Sequence, residues 1–340
     1  MGLERSRILG EVYQAARGGI FQVTNHSIPV DVMRNAMTES TRFFELPEEQ
    51  INAYMALVEN EPEHWLYTSS MMNRLGGESN HFWRDALTLN CDGPRPTRAW
   101  PSQPPNFRRA VWEFASEVRV LQERILDLMI EGLGPERNYF GSRNYNGLCF
   151  IVVNRYPRCP EPTLAIGMPP HGDSNLLTIS IPTNGLQIWQ DREFKYVVPS
   201  SNALPVTVGR QLEIVTGIDA PGHRVVVNSQ SAQTSLSFFA MPTPACEVTQ
   251  APNIPRESRY IDGVPFCEFI VRVLPSQFIR SSRSCVNDNF CIWSPFVPMS
   301  LSLEYEKKAC VVDNVNFQSY YVMFPNVIKL LVATTYNSPD

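Results

Sequence analysis

His171 and Asp173 stand two positions apart in Met168-Pro169-Pro170-His171-Gly172-Asp173-Ser174-Asn175-Leu176-Leu177-Thr178-Ile179, at the entry to an apolar run. Side chains of an extended chain alternate with a period of two, so an imidazole and a carboxyl at this spacing lie on one side and converge on a point. A second histidine, His223, opens another strand-like run, Gly222-His223-Arg224-Val225-Val226-Val227, 52 residues later. Two histidines and one carboxylate form the facial triad that holds a non-haem Fe(II) and leaves positions free for a co-substrate and oxygen. A hydrolytic zinc ion accepts the same donors, so the residue types alone leave both metals open. With 5 histidines and 34 acidic residues in the chain, a single His-x-Asp pair gains weight only from its surroundings.

Those surroundings are short strand candidates broken by turn residues: Leu148 to Val153, Leu176 to Ile181, Leu186 to Trp189, Leu204 to Val208, Leu212 to Thr216, His223 to Val227 and Ser235 to Phe239. Strands of about five residues separated by Gly, Pro, Asn and Asp indicate a sandwich or barrel rather than a parallel α/β sheet. A jelly roll brings distant strands together, which is what a ligand set spread over some fifty residues requires.

The order of further motifs extends the pattern. They are Gly19-Ile20-Phe21-Gln22-Val23-Thr24-Asn25-His26, Phe43-Phe44-Glu45-Leu46-Pro47, Trp83-Arg84-Asp85, Asn154-Arg155-Tyr156-Pro157, Gly185-Leu186-Gln187, Gln211-Leu212-Glu213-Ile214 and Ser235-Leu236-Ser237-Phe238-Phe239. With the two histidine segments, they span roughly residues 8 to 280, and on them the chain resembles the plant soluble Fe(II)/2-oxoglutarate-dependent dioxygenases, an isopenicillin N synthase-like family.

The resemblance implies a mainly β fold with flanking helices, a double-stranded β-helix (jelly-roll) core and a helical N-terminal part. It implies that His171, Asp173 and His223 bind Fe(2+) and that Asn154, Tyr156, Ser235 and the residue at 233 surround 2-oxoglutarate. The implied chemistry is oxidative decarboxylation of 2-oxoglutarate to succinate, with molecular oxygen hydroxylating or desaturating a small organic molecule, a plant specialised metabolite or hormone.

One position departs from the family. The last motif there reads Arg-x-Ser, and its arginine pairs with the far carboxylate of 2-oxoglutarate; here Gln233 holds that place. Glutamine can donate a hydrogen bond but brings no charge and no guanidinium fork. Losing one partner of a buried ion pair costs about 3–5 kcal/mol, or hundreds- to thousands-fold in affinity. The alternative reading is therefore a catalytically degenerate dioxygenase-fold protein that binds metal or a small molecule without turnover. Of two nearby cations, Arg224 is expected to point away from the ligand face by strand alternation, and the direction of Arg210 is not legible.

The rest of the chain frames this core. Residues 1–107 read as an α-rich region ending in a Pro-rich connector, 108–140 as a backing helix, 141–245 as the catalytic core, 246–280 as a C-terminal helical region and 281–340 as an atypical tail. Val111, Phe114, Val118, Leu121, Ile125 and Leu128 recur at helical spacing, giving one apolar stripe. A net charge of −5 without a Lys/Arg cluster argues against a nucleic-acid surface. The first ten residues carry charge and no apolar h-region, and eight cysteines show no Cys-x-x-Cys, so a cytoplasmic protein with reduced thiols is expected. No run is long and apolar enough to suggest a membrane span.

Overall fold

The computed structural model describes residues 3–58, 64–67, 81–134, 138–252, 254, 263, 269, 291–292, 308–312, 315–324 and 328–334. The chain begins with helix α1 (Leu3–Ala16), strand β1 (Ile20–Val23), helices α2 (Val30–Phe43) and α3 (Glu48–Val58), strands β2 (His64–Tyr67), β3 (His81–Phe82) and β4 (Asp85–Asn90), and the long helix α4 (Phe107–Glu131). The 25-residue α4 carries most of the expected stripe: Val111, Phe114, Val118, Leu121 and Ile125 are buried, while Leu128 is half-buried. The proline-bearing segment before it is free of helix, as the missing N–H groups of proline require.

The core strands follow: β5 (Leu148–Tyr156), β6 (Ala165–Ile166), β7 (Met168–Gly172), β8 (Leu177–Ile181), β9 (Leu186–Gln190), β10 (Glu193–Tyr196) and β11 (Leu204–Val208). Helix α5 (Arg210–Thr216) then precedes β12 (His223–Val225) and β13 (Gln233–Met241). Two main sheets result, a larger one in the order β1-β11-β8-β13-β5-β4-β2 and a smaller one containing β10-β9-β12-β7, continued by β14 (Cys291–Ile292), while β3 and β6 pair as a separate two-stranded sheet. Within β5 and β13 the faces divide cleanly. Ile151, Val153, Leu236 and Phe238 join the main apolar core with α2 and α4. Asn154, Tyr156, Gln233 and Ser235 project from the opposite face, into the space shared with the smaller sheet, where Tyr156 meets Met168, Val225 and Val227. This is the jelly-roll core with helices flanking the larger sheet.

Two local expectations are corrected. Leu212 to Thr216 is not a strand but lies in α5: every residue of Arg210–Thr216 is buried, and a short apolar run buried on all sides carries no periodicity to separate strand from helix. Gly217, in the left-handed region at φ 69, ends that helix. The His171-x-Asp173 pair also does not enter the strand that follows it. His171 lies near the end of β7, Asp173 follows in the turn, and β8 begins only at Leu177.

Of the predicted C-terminal helical region, 246–280, residues 246–252 are described and form no helix, and most of the remainder lies outside the described residues. In the tail, the apolar runs at 320–324 and 328–332 lie in two strands of an antiparallel meander, β15 (Lys308–Val312), β16 (Val315–Phe324) and β17 (Ile328–Thr334). Among the described residues, Cys91, Cys149, Cys159 and Cys246 are free thiols, and no helix is long and apolar enough to cross a membrane.

Candidate metal centre

Strands β7 and β12 pair with His223 directly opposite His171, so both imidazoles rise from one face of the smaller sheet with ring centroids 4.1 Å apart. Asp173, one residue beyond the end of β7, turns its carboxyl between them. Its Oδ1 lies 3.7 Å from Nε2 of His171 and 3.7 Å from Nε2 of His223. Ligand atoms held about 2 Å from a common ion stand about 3 to 4 Å apart, so the three donors fit one cation.

The orientation of the rings is set by the backbone. Nδ1 of His171 lies 2.9 Å from the Pro169 carbonyl and Nδ1 of His223 lies 3.4 Å from the Pro221 carbonyl. An N–H at Nδ1 donating to those carbonyls leaves Nε2 as the free lone pair in both rings, the tautomer a metal ligand needs. Burial pushes the His171 pKa well below its ordinary value, and the neighbouring His223, then Arg84 and Arg210, push the same way. A neutral imidazole is what a cation can coordinate.

Thr178 completes the carboxyl's setting, its Oγ1 donating to Asp173 Oδ2 at 2.6 Å. That bond leaves Oδ1 to face the two nitrogens. On the far side of the turn, Arg210 and Gln211 donate backbone N–H groups to the carbonyls of Asp173 and Asn175 at 2.9 and 3.0 Å, while Gly209 donates to Leu176 at 2.8 Å. Helix α5 thus clamps the segment that carries the carboxyl. Substituting Thr178→Val, which keeps shape and removes the donor, is expected to weaken metal binding about 10- to 100-fold. Titration of the apo-protein with Mn(II) reads this directly, and an unchanged affinity would show that the hydroxyl does not set the ligand.

The four residues expected around 2-oxoglutarate share one face of the larger sheet. In the register of β5 and β13, Asn154 is opposite Ser235 and Tyr156 opposite Gln233. Asn154 Nδ2 donates to Ser235 Oγ at 3.3 Å. Burial raises the Tyr156 pKa, with Arg84 and hydrogen bonds from Ser235 and Arg84 opposing that rise. Gln233 Oε1 is buried without a hydrogen-bond partner.

Arg224 behaves as alternation predicts. It is opposite Gln187 while its neighbour His223 is opposite Ile188, and its Nε donates to Gln187 Oε1 at 2.7 Å while the guanidinium lies 4.0 Å from the centre of the Phe194 ring. Arg210 packs its guanidinium against Gly172. Phe82 and Trp83 are half-buried, and Trp83 packs on the cluster around Tyr156. Thr178 was not singled out from sequence. The Pro-x-His spacing shared by Pro169/His171 and Pro221/His223 was a legible signal for the two carbonyl contacts.

Comparison with known proteins agrees with this geometry. Residues 147–242 match the model of the 2OG-Fe(II) oxygenase superfamily, and residues 2–109 match that of the N-terminal region of non-haem dioxygenases in morphine synthesis. The 2'-deoxymugineic-acid 2'-dioxygenase of Hordeum vulgare is 35% identical over 239 residues, covering 68% of this chain and 69% of that protein. Flavanone 3-dioxygenase 2 of Oryza sativa subsp. japonica is 33% identical over 258 residues, 74% of each. Among solved structures, JOX2 in complex with 2OG, Fe and JA superposes with a TM-score of 0.67 at 26% identity over 81% of both chains. The dioxygenase for auxin oxidation in rice shares the fold, with a TM-score of 0.68 at 19% identity over 82% of this chain and 92% of that one.

Proposed function

The chain belongs to the 2OG-Fe(II) oxygenase superfamily, alongside plant dioxygenases, and from that premise we propose that His171, Asp173 and His223 hold the iron while Asn154, Tyr156, Ser235 and Gln233 face the co-substrate. It is a non-haem Fe(II)/2-oxoglutarate-dependent oxygenase acting with molecular oxygen on a small organic molecule. The single observation that supports the ligand assignment best is the convergence of His171 Nε2, His223 Nε2 and Asp173 Oδ1, each second heteroatom being occupied by a carbonyl or by Thr178.

Bound there, iron supplies the oxidative decarboxylation of 2-oxoglutarate and the oxidation of the substrate. The protein's share is geometric and electrostatic. His171 and His223 present neutral nitrogen, Asp173 presents the anion, and burial of all three keeps water from competing for the metal. Across the space between the sheets, the polar row on β5 and β13 offers Tyr156, Asn154 and Ser235 as hydrogen-bonding groups for a carboxylate. Residues 141–245 form the catalytic core in this reading, with 1–107 and 108–140 backing it, and 246–280 and 281–340 following as the C-terminal region and tail. A plant specialised metabolite or hormone as substrate, and a cytoplasmic location, complete the proposal; the plant enzymes among the relatives support the first.

The test is formation of succinate from 2-oxoglutarate by purified full-length protein reconstituted with Fe(II). Succinate appearing only with iron and oxygen both present is the expected result. Metal binding without any succinate would instead place the chain with the degenerate, non-turning-over reading that Gln233 invites.

A further inference from the structure

The substitution at 233 removes a positive charge from a buried row, and the larger sheet carries another in the same row. Strand β4 pairs with β5 so that Asp85 is opposite Arg155 and Ala86 opposite Asn154. One step further along this antiparallel register, Arg84 falls opposite Tyr156, and on the other side of Tyr156 stands Gln233. Arg84, Tyr156 and Gln233 therefore form one cross-strand row, next to the row of Ala86, Asn154 and Ser235. Neighbouring strands are about 4.8 Å apart, so Arg84 enters this row about 10 Å from residue 233.

Arg84 is set there by two pairings at once. The segment before it is bound to β6, with Phe82 opposite Ile166 and the Trp83 N–H donating to the Ile166 carbonyl at 2.9 Å. The segment after it is bound to β5. The residue is only 3% exposed, and its Nη1 donates to Asn154 Oδ1 at 3.1 Å and lies 3.4 Å from Met168 Sδ. Through Asn154 it touches the polar row, and through Met168 it reaches β7, the strand that carries His171. Arg224 is held elsewhere, against Gln187 and Phe194, and Arg210 packs against Gly172 on β7 rather than on the row carried by β5 and β13.

We infer that Arg84 supplies the positive charge that meets the far carboxylate of 2-oxoglutarate, taking over from the opposite side of Tyr156 the part an arginine at 233 would play. The inference rests on the co-substrate assignment above and adds a specificity-determining residue to it. Arg84 is the planar, permanently charged fork that recognises a carboxylate. Gln233 then contributes hydrogen bonding without charge, and Tyr156 and Asn154 orient the guanidinium rather than acting alone.

The test compares two 2-oxo acids on the Mn(II)-loaded protein, where no turnover occurs. 2-Oxoglutarate and 2-oxobutyrate share the chelating end and differ in the far carboxylate, so the ratio of their dissociation constants, measured by calorimetry, reports what that carboxylate meets, and its change in Arg84→Met reports the share of Arg84. Wild type is expected to prefer 2-oxoglutarate by about 100-fold or more. Arg84→Met is expected to remove most of that preference while changing 2-oxobutyrate affinity by about 3-fold or less. The double variant Arg84→Met/Gln233→Arg is expected to recover it. An undiminished preference in Arg84→Met would overturn the inference, as would parallel loss of both ligands, the mark of a merely structural role. Should Arg84→Met fail to fold, wild type still decides, because equal affinity for the two acids contradicts a cation at the far carboxylate. Wild type that binds Mn(II) but neither acid would instead remove the co-substrate assignment itself.

Discussion

Replacing Asp173 by alanine is expected to weaken Fe(II) or Mn(II) binding by about 1,000-fold or more and to bring succinate formation to background. The carboxyl is the single anionic group among the three donors, and its Oδ1 is equidistant, at 3.7 Å, from the two imidazole nitrogens. Without it, a divalent cation entering a buried site would meet two neutral rings and lose the charge that offsets its desolvation. The fold should survive, because the elements holding the turn are backbone bonds from Gly209, Arg210 and Gln211, none of which uses the Asp173 side chain. Metal titration alongside thermal melting checks both halves. Retained metal affinity in a folded Asp173→Ala protein would show that the ion is bound elsewhere.

The second large effect is steric and belongs to the clamp behind the site. Gly209→Ala is expected to cost about 3 kcal/mol or more, lowering Tm by on the order of 10 °C. The backbone angle is not the reason, since Gly209 sits at φ −94, open to any residue. A Cβ there would stand 2.1 Å from the Asn175 carbonyl oxygen and 2.6 Å from its carbon, backbone atoms that cannot turn aside. Either α5 retreats or the 173–176 turn does, and the turn carries Asp173, the carboxyl of the candidate metal site. Metal affinity should therefore fall with stability. Gly10→Ala is the control: within α1 a Cβ meets nothing within 4 Å, and alanine should stabilise the helix by roughly 0.5–1 kcal/mol. A Gly209→Ala protein melting like wild type would mean that the close approach relaxes at little cost.

Which parts of this were legible in the amino-acid sequence follows from the physics of each. The convergence of His171, Asp173 and His223 was, because metal chemistry restricts donors to a small set of residue types, and the His-x-Asp spacing with a later histidine before an apolar run leaves few ways to assemble them. The direction of Arg224 was, because strand alternation is a local rule. Helix α5 was not, because complete burial of Leu212, Ile214 and Val215 erases the one-sided pattern that distinguishes secondary structures. Thr178 as a partner of Asp173 was not, since it depends on the chain turning between β7 and β8. Arg84 was visible as part of a motif, yet its place opposite Tyr156 is a property of register between strands more than sixty residues apart, and no local pattern encodes that.

The most direct test of the central claim is anomalous diffraction at the iron edge from crystals of the full-length protein grown anaerobically with Fe(II). The account predicts one strong peak about 2 Å from His171 Nε2, His223 Nε2 and an oxygen of Asp173. Iron located away from any one of those three atoms, or no peak between the β7 and β12 histidines in iron-saturated crystals, would contradict it.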